Sequence, residues 1–111
     1  MKVYLDDTRS EPDGWVRAKT AWEAIEFLET GKVEEISLDH DLGEEQIVGT
    51  GHDVIKWIEE AVATGEFNPP KNIIVHSSNP SGSARMKEGI KSIQRFIAKR
   101  KPTSDNKQET N

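Results

Sequence analysis

Residues 36–41, ISLDHD, join a short apolar run directly to two aspartates and a histidine. The same design occurs at residues 3–9, VYLDDTR, and at residues 73–79, IIVHSSN. Each run has the length and β-branched content of a buried strand, and helix-like segments separate the three. In an open parallel α/β sheet, the carboxyl ends of the strands face one crevice in which ligands bind. We therefore expect the polar residues after the three runs to meet at one mouth.

Composition limits the class of protein. The 111 residues, 33% hydrophobic and 32% charged, suit one domain with a modest core and a highly solvated surface. A net charge of -5 argues against binding to nucleic-acid backbones, and no sequence-specific DNA binding is expected. The absence of cysteine excludes disulfides and thiolate zinc sites. No apolar stretch suits a membrane span or a signal peptide, so a cytoplasmic protein without a membrane partner is expected.

Hydrophobic periodicity predicts a β-β-α-β-α-β-α order. The predicted strands and helices, in chain order, are strands 2–6 and 15–18, a helix from Thr20 to Gly31, strand 35–39, helix 53–64, strand 72–76 and a helix that begins near Pro80 or Ser81. Residues 42–51 form a long loop, which in so small a domain is often functional or mobile. Residues 1–101 are predicted to form the domain and residues 102–111 a disordered polar tail. Right-handed crossovers then give a three-layer sandwich with a four-stranded, largely parallel sheet.

Three aspartates are candidate metal ligands. Asp6 and Asp7 follow the first strand, and Asp39 follows a neighbouring strand. Carboxylates suit a hard cation such as Mg²⁺ or Mn²⁺. The alternative for the first pair is a turn in which Asp6 caps backbone amides and Asp7 pairs with Arg9. Such crowding of like charge is costly without a cation, which favours the metal interpretation.

Three histidines are candidate functional residues. His40 and His76 follow strands and suit general acid or base chemistry near neutral pH, although His40 could instead be an exposed loop residue or ligate a softer metal. His52 lies at a glycine-flanked helix start, where backbone amides attract anions, and is therefore a candidate substrate-binding residue. The alternative is that Thr50 or Asp53 only caps this helix.

The junction at residues 76–82 combines an imidazole with hydroxyls, an amide and free helix-start amides. Ser77 and Asn79 suit contacts with phosphate oxygens, and Arg9 can balance phosphate charge. The alternative is that Ser78 or Asn79 caps the following helix.

At these motifs the sequence resembles the cyclic-phosphate-processing receiver-like domains, a variant of the response-regulator receiver (flavodoxin-like) fold. The resemblance covers residues 1 to about 97. Its carriers, as they stand here, are LDDTR at 5–9, SLDHDLG at 37–43, TGHD at 50–53 with WIE at 57–59, and VHSSNP at 75–80.

The resemblance implies roles for individual residues. Asp6 and Asp7 match the receiver's Mg²⁺-holding acidic pair, Asp39 matches its phosphoacceptor, and Ser77 is the nearest match to its hydroxyl residue. The receiver lysine has no secure equivalent, because Lys101 follows a helix. The additional His40, Asp41 and His76 suit acid–base chemistry rather than simple phosphoacceptance.

We therefore expect metal-dependent phosphoesterase chemistry on cyclic phosphates, either 2′,3′-cyclic RNA ends or cyclic nucleotides. In this hypothesis Asp6, Asp7 and Asp39 hold the cation, and His40 and His76, with Asp41, carry protons. Two alternatives stay open: a non-catalytic module that binds a cyclic nucleotide, a phosphate end or a protein partner, and a phosphorylatable regulatory receiver.

Overall fold

The computed structural model describes residues 1–100. The predicted tail lies outside the described residues. The sheet contains four parallel strands in the spatial order β2-β1-β3-β4, which are β1 (Lys2–Leu5), β2 (Val16–Ala18), β3 (Glu35–Leu38) and β4 (Asn72–Val75). The predicted α/β class and the four-stranded parallel sheet are confirmed.

Four helices accompany the sheet in the described part of the chain: α1 (Ala21–Glu29), α2 (Glu45–Val48), α3 (Gly51–Thr64) and α4 (Pro80–Lys99). Each of the three longer helices begins after a side-chain cap. Thr20, Thr50 and Asn79 each accept a hydrogen bond from an amide in the first turn of the helix that follows. These caps fix where α3 and α4 begin beside the carboxyl ends of the strands.

The predicted loop 42–51 contains the short helix α2 and is tethered at two points. Asp41 and Thr50 form an isolated β-bridge that closes its base. The indole Nε1 of Trp22 in α1 donates to the carbonyl of Ile47 at 2.8 Å. The loop is therefore held against the domain although Ile47 itself is 64% exposed.

The helices pack on one face of the sheet. Helix α3 contacts both α1 and α4, and α1 and α4 contact the strands. The strand residues of the core, all fully buried, alternate along the strands and share this face: Val3, Leu5, Ala18, Ile36 and Leu38. On the opposite face Tyr4 and Arg17 are half-buried and Ile74 is 43% exposed.

The predicted receiver-like α/β fold is confirmed, but within residues 1–100 the helices cover one face of the sheet rather than both faces of a three-layer sandwich. The segment between β1 and β2 is a loop, so no helix covers that crossover. The crossovers from β2 to β3 and from β3 to β4 advance in the same direction across the sheet. Right-handed connections then place both sets of helices on the same side. The other side, called here the helix-free face, has no helical layer within residues 1–100.

No helix within residues 1–100 is both long enough and apolar enough to cross a membrane.

Candidate functional site

Three polar residues continue the hydrogen-bond ladder just beyond the strands. The backbone amides of Asp6, Asp39 and His76 each donate to a carbonyl of the neighbouring strand at 3.0 Å. Each of the three stands two residues after a strand residue that points away from the core. The alternation of strand side chains therefore directs all three toward the helix-free face.

The three side chains converge into one group, called here the Asp6–Asp39–His76 group. One ligating atom from each lies within 4.8 Å of those of the other two. His76 Nε2 is 3.0 Å from Asp6 Oδ2. The Asp6 side chain is fully buried and that of His76 is 17% exposed, while Asp39 as a whole residue is 9% exposed. The prediction that Asp6 and Asp39 approach each other at one mouth therefore agrees with the geometry.

The Asp6 carboxylate is held by the turn that follows it. Its Oδ1 accepts from the backbone amides of Thr8 at 2.9 Å and Arg9 at 2.8 Å, and from the Thr8 hydroxyl at 3.2 Å. Burial alone would raise the pKa of Asp6, but these amides and His76 outweigh it and lower the pKa below its ordinary value of 3.8. Asp6 is therefore an anion at neutral pH.

The lowered pKa of Asp6 has a stability consequence. A carboxyl group with a depressed folded-state pKa stabilises the fold above its unfolded-state pKa, and this contribution disappears as pH falls through the folded-state value. We expect the unfolding free energy of the cation-free parent to fall in acid below about pH 4. In Asp6→Asn this fall should be shallower, because the substituted group does not titrate.

Urea unfolding at several acidic pH values in the presence of EDTA checks this expectation. Asp13→Asn, at an exposed turn position, is the matched control and should retain the parental slope. Identical pH dependence in Asp6→Asn and the parent would contradict it.

Asp39 is the least satisfied member of the group. Its Oδ1 accepts from the adjacent amide of His40 at 2.8 Å. Within residues 1–100, no donor or cationic side chain reaches its second oxygen. The Asp39 carboxylate is largely buried, has one free oxygen and lies beside the Asp6 carboxylate. This arrangement of two negative charges is energetically unfavourable unless a cation binds between them.

The imidazole of His76 is held on three sides. Its Nδ1 is 2.7 Å from Ser37 Oγ, and its Nε2 faces Asp6. The ring of Tyr4 stacks on it with a centroid separation of 4.5 Å and an interplanar angle of 1°. Both ring nitrogens are therefore engaged, and the ring has little freedom to turn.

Arg9 provides positive charge at the edge of the group. Its Nη1 donates to the carbonyl of His76 at 2.9 Å and lies 3.6 Å from Asp6 Oδ2. The side chain is 48% exposed, so its other donors can reach a ligand from solvent.

Asp7 lies outside the group, although the sequence indicates it as a ligand. Its backbone carbonyl accepts from Arg17 Nη2 at 2.9 Å. The alternative expected from the sequence was a turn in which Asp6 caps backbone amides and Asp7 pairs with Arg9. Asp6 does cap backbone amides, but Arg9 pairs with Asp6 and not with Asp7.

His40 lies on the other side of the sheet, beneath the first turn of α4. Its side chain is 6% exposed, and a Cβ at Gly82 would lie 2.6 Å from two of its ring carbons. Its Nδ1 bonds to Asp41 Oδ1 at 2.9 Å. The hydrogen bond from His40, followed by that from Asn79, lowers the pKa of Asp41 despite an opposing effect of burial. The structure therefore does not bring His40 and Asp41 to the Asp6–Asp39–His76 group.

Ser77 and Asn79 have local structural partners. Ser77 Oγ accepts from the amide of Asn79 at 3.1 Å. Asn79 Oδ1 caps α4 through the amide of Gly82, and its Nδ2 contacts Asp41 Oδ2 at 3.2 Å. The predicted alternative, that Asn79 caps the helix, is the arrangement found.

His52 lies in a separate, shallow pocket between α3 and α4. Arg85, Glu88 and Arg95 line the same pocket. Burial, followed by the charges of Arg85 and Lys56, lowers the pKa of His52. The pocket of His52 contains no member of the Asp6–Asp39–His76 group. The contact of His52 with substrate therefore stays a prediction.

Sequence reasoning did not single out Tyr4 or Ser37, which hold His76. A signal for Ser37 was available, because it is a polar residue between Ile36 and Leu38 in the interior of a strand and is only 6% exposed. Such a residue needs a hydrogen-bond partner. For Tyr4 the sequence offered no comparable signal.

Comparison with known proteins identifies the family. The family model described as the cyclic-phosphate processing receiver domain matches residues 1–92. No curated protein and no solved structure matched the chain. The family match spans the whole sheet, the Asp6–Asp39–His76 group and the first turns of α4. The chain therefore belongs to the family of cyclic-phosphate processing receiver domains.

Proposed function

We propose that the protein hydrolyses a small cyclic phosphate, such as a 2′,3′-cyclic RNA end or a cyclic nucleotide, with a bound divalent cation. One observation carries the proposal: two buried carboxylates converge with an imidazole beside the half-exposed guanidinium of Arg9. Water would form a bond to phosphorus, one ring P–O ester bond would break, and the leaving oxygen would take a proton. The product is a phosphate monoester.

The residues present fit a divalent cation. Asp6 and Asp39 would hold it, since the free oxygen of Asp39 and the Oδ2 of Asp6 are the atoms not used by backbone amides. When bound, Mg²⁺ or Mn²⁺ would polarise a phosphoryl oxygen and lower the pKa of water. Two anionic ligands would also offset the charge of the cation within a largely buried environment.

Arg9 would bind the phosphate. Its Nη1 is anchored by the carbonyl of His76, which positions the guanidinium at the rim of the group. A charge-assisted hydrogen bond to phosphate typically contributes about 1.5–3 kcal/mol to the binding free energy. A cyclic phosphate carries one negative charge, which suits recognition by one guanidinium together with a cation.

The structure limits the proton carriers. His40 is enclosed on the helix side, so the proposed chemistry gives it and Asp41 a positioning role at the start of α4. His76 lies in the group, but both its nitrogens already have partners. Direct proton transfer from His76 to a substrate would require one of these contacts to break.

That engagement of His76 favours a second candidate function, a module that binds a cyclic phosphate or phosphate end without converting it. Such a module would still use the cation and Arg9. It would need no free proton carrier, and neither His40 nor His76 provides one without a rearrangement.

Phosphorus NMR distinguishes the two functions. The protein is incubated with 2′,3′-cyclic nucleotides and short RNA with cyclic-phosphate ends, with Mg²⁺, with Mn²⁺ and with EDTA, while calorimetry measures binding on the same samples. We expect cation-dependent replacement of the cyclic-phosphate resonance by a monoester resonance. Binding of several such substrates without any conversion would overturn hydrolysis and favour the binding module.

Arg9→Gln should lower kcat/KM for a cyclic phosphate by about 10- to 100-fold, which is the loss of one charge-assisted hydrogen bond. Steady-state kinetics with the substrate found by NMR measures it. Arg95→Gln removes the same charge at the pocket between α3 and α4, and it should leave kcat/KM unchanged. Equal kinetics in both variants and the parent would exclude Arg9 from phosphate binding.

A further inference from the structure

We propose that His76 is itself a ligand of the cation, and that it makes the site bind first-row transition ions such as Mn²⁺ and Zn²⁺ in preference to Mg²⁺. This inference rests on the cation of the proposed function, but it does not require turnover. It replaces Asp7 with His76 in the ligand set expected from the sequence.

The spacing of the atoms supports direct ligation. Two ligands at right angles around an ion, each at about 2.1 Å, lie about 3.0 Å apart. His76 Nε2 and Asp6 Oδ2 are 3.0 Å apart. All three ligating atoms lie within 4.8 Å of one another, whereas opposite ligands of such an ion are separated by about 4.2 Å, so a small side-chain movement closes the group.

The contact with Ser37 makes Nε2 available. A hydroxyl group can either donate to Nδ1 or accept from it. When Nδ1 carries the proton and donates to Ser37 Oγ at 2.7 Å, Nε2 presents a lone pair to the Asp6 carboxylate. In the cation-free protein Nε2 can instead carry the proton and donate to Asp6 Oδ2, while Ser37 Oγ donates to Nδ1. Cation binding then requires the Nε2 proton to leave to solvent and Nδ1 to take one up, while the Ser37 hydroxyl turns from donor to acceptor and the ring stays in place.

The surroundings of the group match those of metal-binding residues. Metal-ligating histidines usually use the second ring nitrogen in a hydrogen bond that fixes the tautomer and the ring orientation. Ser37 provides that bond, and the stacked ring of Tyr4 restricts rotation. The amides of Thr8 and Arg9 fix Asp6 in the same way.

Asp39 supplies the independent observation that a cation belongs here. Asp39 is more than nine-tenths buried, and its second oxygen meets no protein donor within residues 1–100. One atom of this carboxylate reaches the atoms of Asp6 and His76. The group thus offers two oxygens and one nitrogen, and imidazole nitrogen favours transition ions over Mg²⁺.

Pulsed EPR of the protein loaded with Mn²⁺ alone tests ligation without any assay of activity. We expect nitrogen modulation from a bound imidazole in the parent, and its loss in His76→Gln. His40→Gln and His52→Gln are matched controls that should retain it, and these three are all the histidines of the chain. A parent that binds Mn²⁺ without nitrogen modulation, or modulation that persists in His76→Gln, would overturn the inference.

Calorimetry tests the preference for transition ions. His76→Gln should weaken Zn²⁺ and Mn²⁺ binding by about tenfold or more while it changes Mg²⁺ binding much less. If His76→Gln does not fold, NMR of the parent labelled with ¹⁵N-histidine is used instead of this variant. Zn²⁺ should shift one Nε2 resonance. This resonance should still be present in His40→Gln and in His52→Gln, which assigns it to His76. Equal loss of Mg²⁺ and Zn²⁺ affinity, or no shift, would contradict the inference.

The outcomes separate this inference from the proposed function. Nitrogen modulation from His76 together with no conversion of any cyclic phosphate would support ligation and overturn hydrolysis. Cation-dependent hydrolysis without that modulation would support the proposed function and overturn His76 as a ligand.

Discussion

Asp39→Asn is expected to weaken divalent-cation binding by about 100-fold or more, because loss of residues that only orient a ligand already costs about 10- to 100-fold. The substitution removes the negative charge of Asp39 and replaces one of its carboxylate oxygens with an amide nitrogen, which cannot ligate a cation. At a cation concentration about 1,000 times the parental Kd, binding stabilises the parent by about 4 kcal/mol, and a 100-fold loss of affinity leaves about 1.4 kcal/mol. The cation-induced rise in Tm should therefore become small.

The same substitution should stabilise the cation-free protein. Asp6 and Asp39 place two carboxylates in one largely buried group, and relief of their repulsion is expected to add about 1 kcal/mol. Thermal melts with EDTA and with Mn²⁺ measure both effects. Asp7→Asn is the matched control, since Asp7 lies outside the group, and it should keep the parental response. An equal cation-induced shift in Asp39→Asn and the parent would show that Asp39 is not a ligand.

Gly51→Ala is expected to lower the unfolding free energy by about 3 kcal/mol or more. A Cβ at Gly51 would collide with the backbone carbonyl of Asp39 and lie 2.8 Å from Met86 Sδ. Gly51 is buried at the start of α3, and its amide bonds to the carbonyl of His40 at 3.1 Å. Neither the backbone after β3 nor the fully buried Met86 can yield cheaply.

Urea unfolding without cation measures this loss. Gly65→Ala is the matched control, because its Cβ meets only the carbonyl of Ala61 at 3.3 Å, and its stability should stay within about 1 kcal/mol of the parent. A Gly51→Ala protein as stable as the parent would contradict the close approach of α3 to Asp39, and with it the way the fold positions that carboxylate.

The strands and their polar ends could be predicted from sequence because the signals are local. Each apolar run is followed by its polar residue at the point where burial ends, and parallel strands bring those points to one edge. Asp6, Asp39 and His76 follow this logic directly. The starts of α3 and α4 were predictable for the same reason, since Thr50 and Asn79 are typical capping residues.

The direction of individual side chains was not predicted, because strand alternation was not expected to persist beyond the strand ends, where a turn can redirect the chain. His40 and His76 both follow strands, but alternation sends His40 to the helix side, where Gly82 leaves room for its ring. Asp7 follows Asp6 immediately and therefore starts toward the other face. The absence of a second helical layer within residues 1–100 could not be predicted either, because it depends on the loop between β1 and β2 and on the spatial order of the strands, which hydrophobic periodicity does not encode.

The site that underlies the whole account can be located directly by anomalous X-ray diffraction from crystals grown with Mn²⁺. The account predicts one strong anomalous peak bonded to Asp6, Asp39 and His76 on the helix-free face, at about 2.1–2.2 Å from each ligating atom. A peak held by Asp7 in place of His76 would contradict the ligand set. No peak in this group at a Mn²⁺ concentration that saturates binding in calorimetry would contradict the cation site itself.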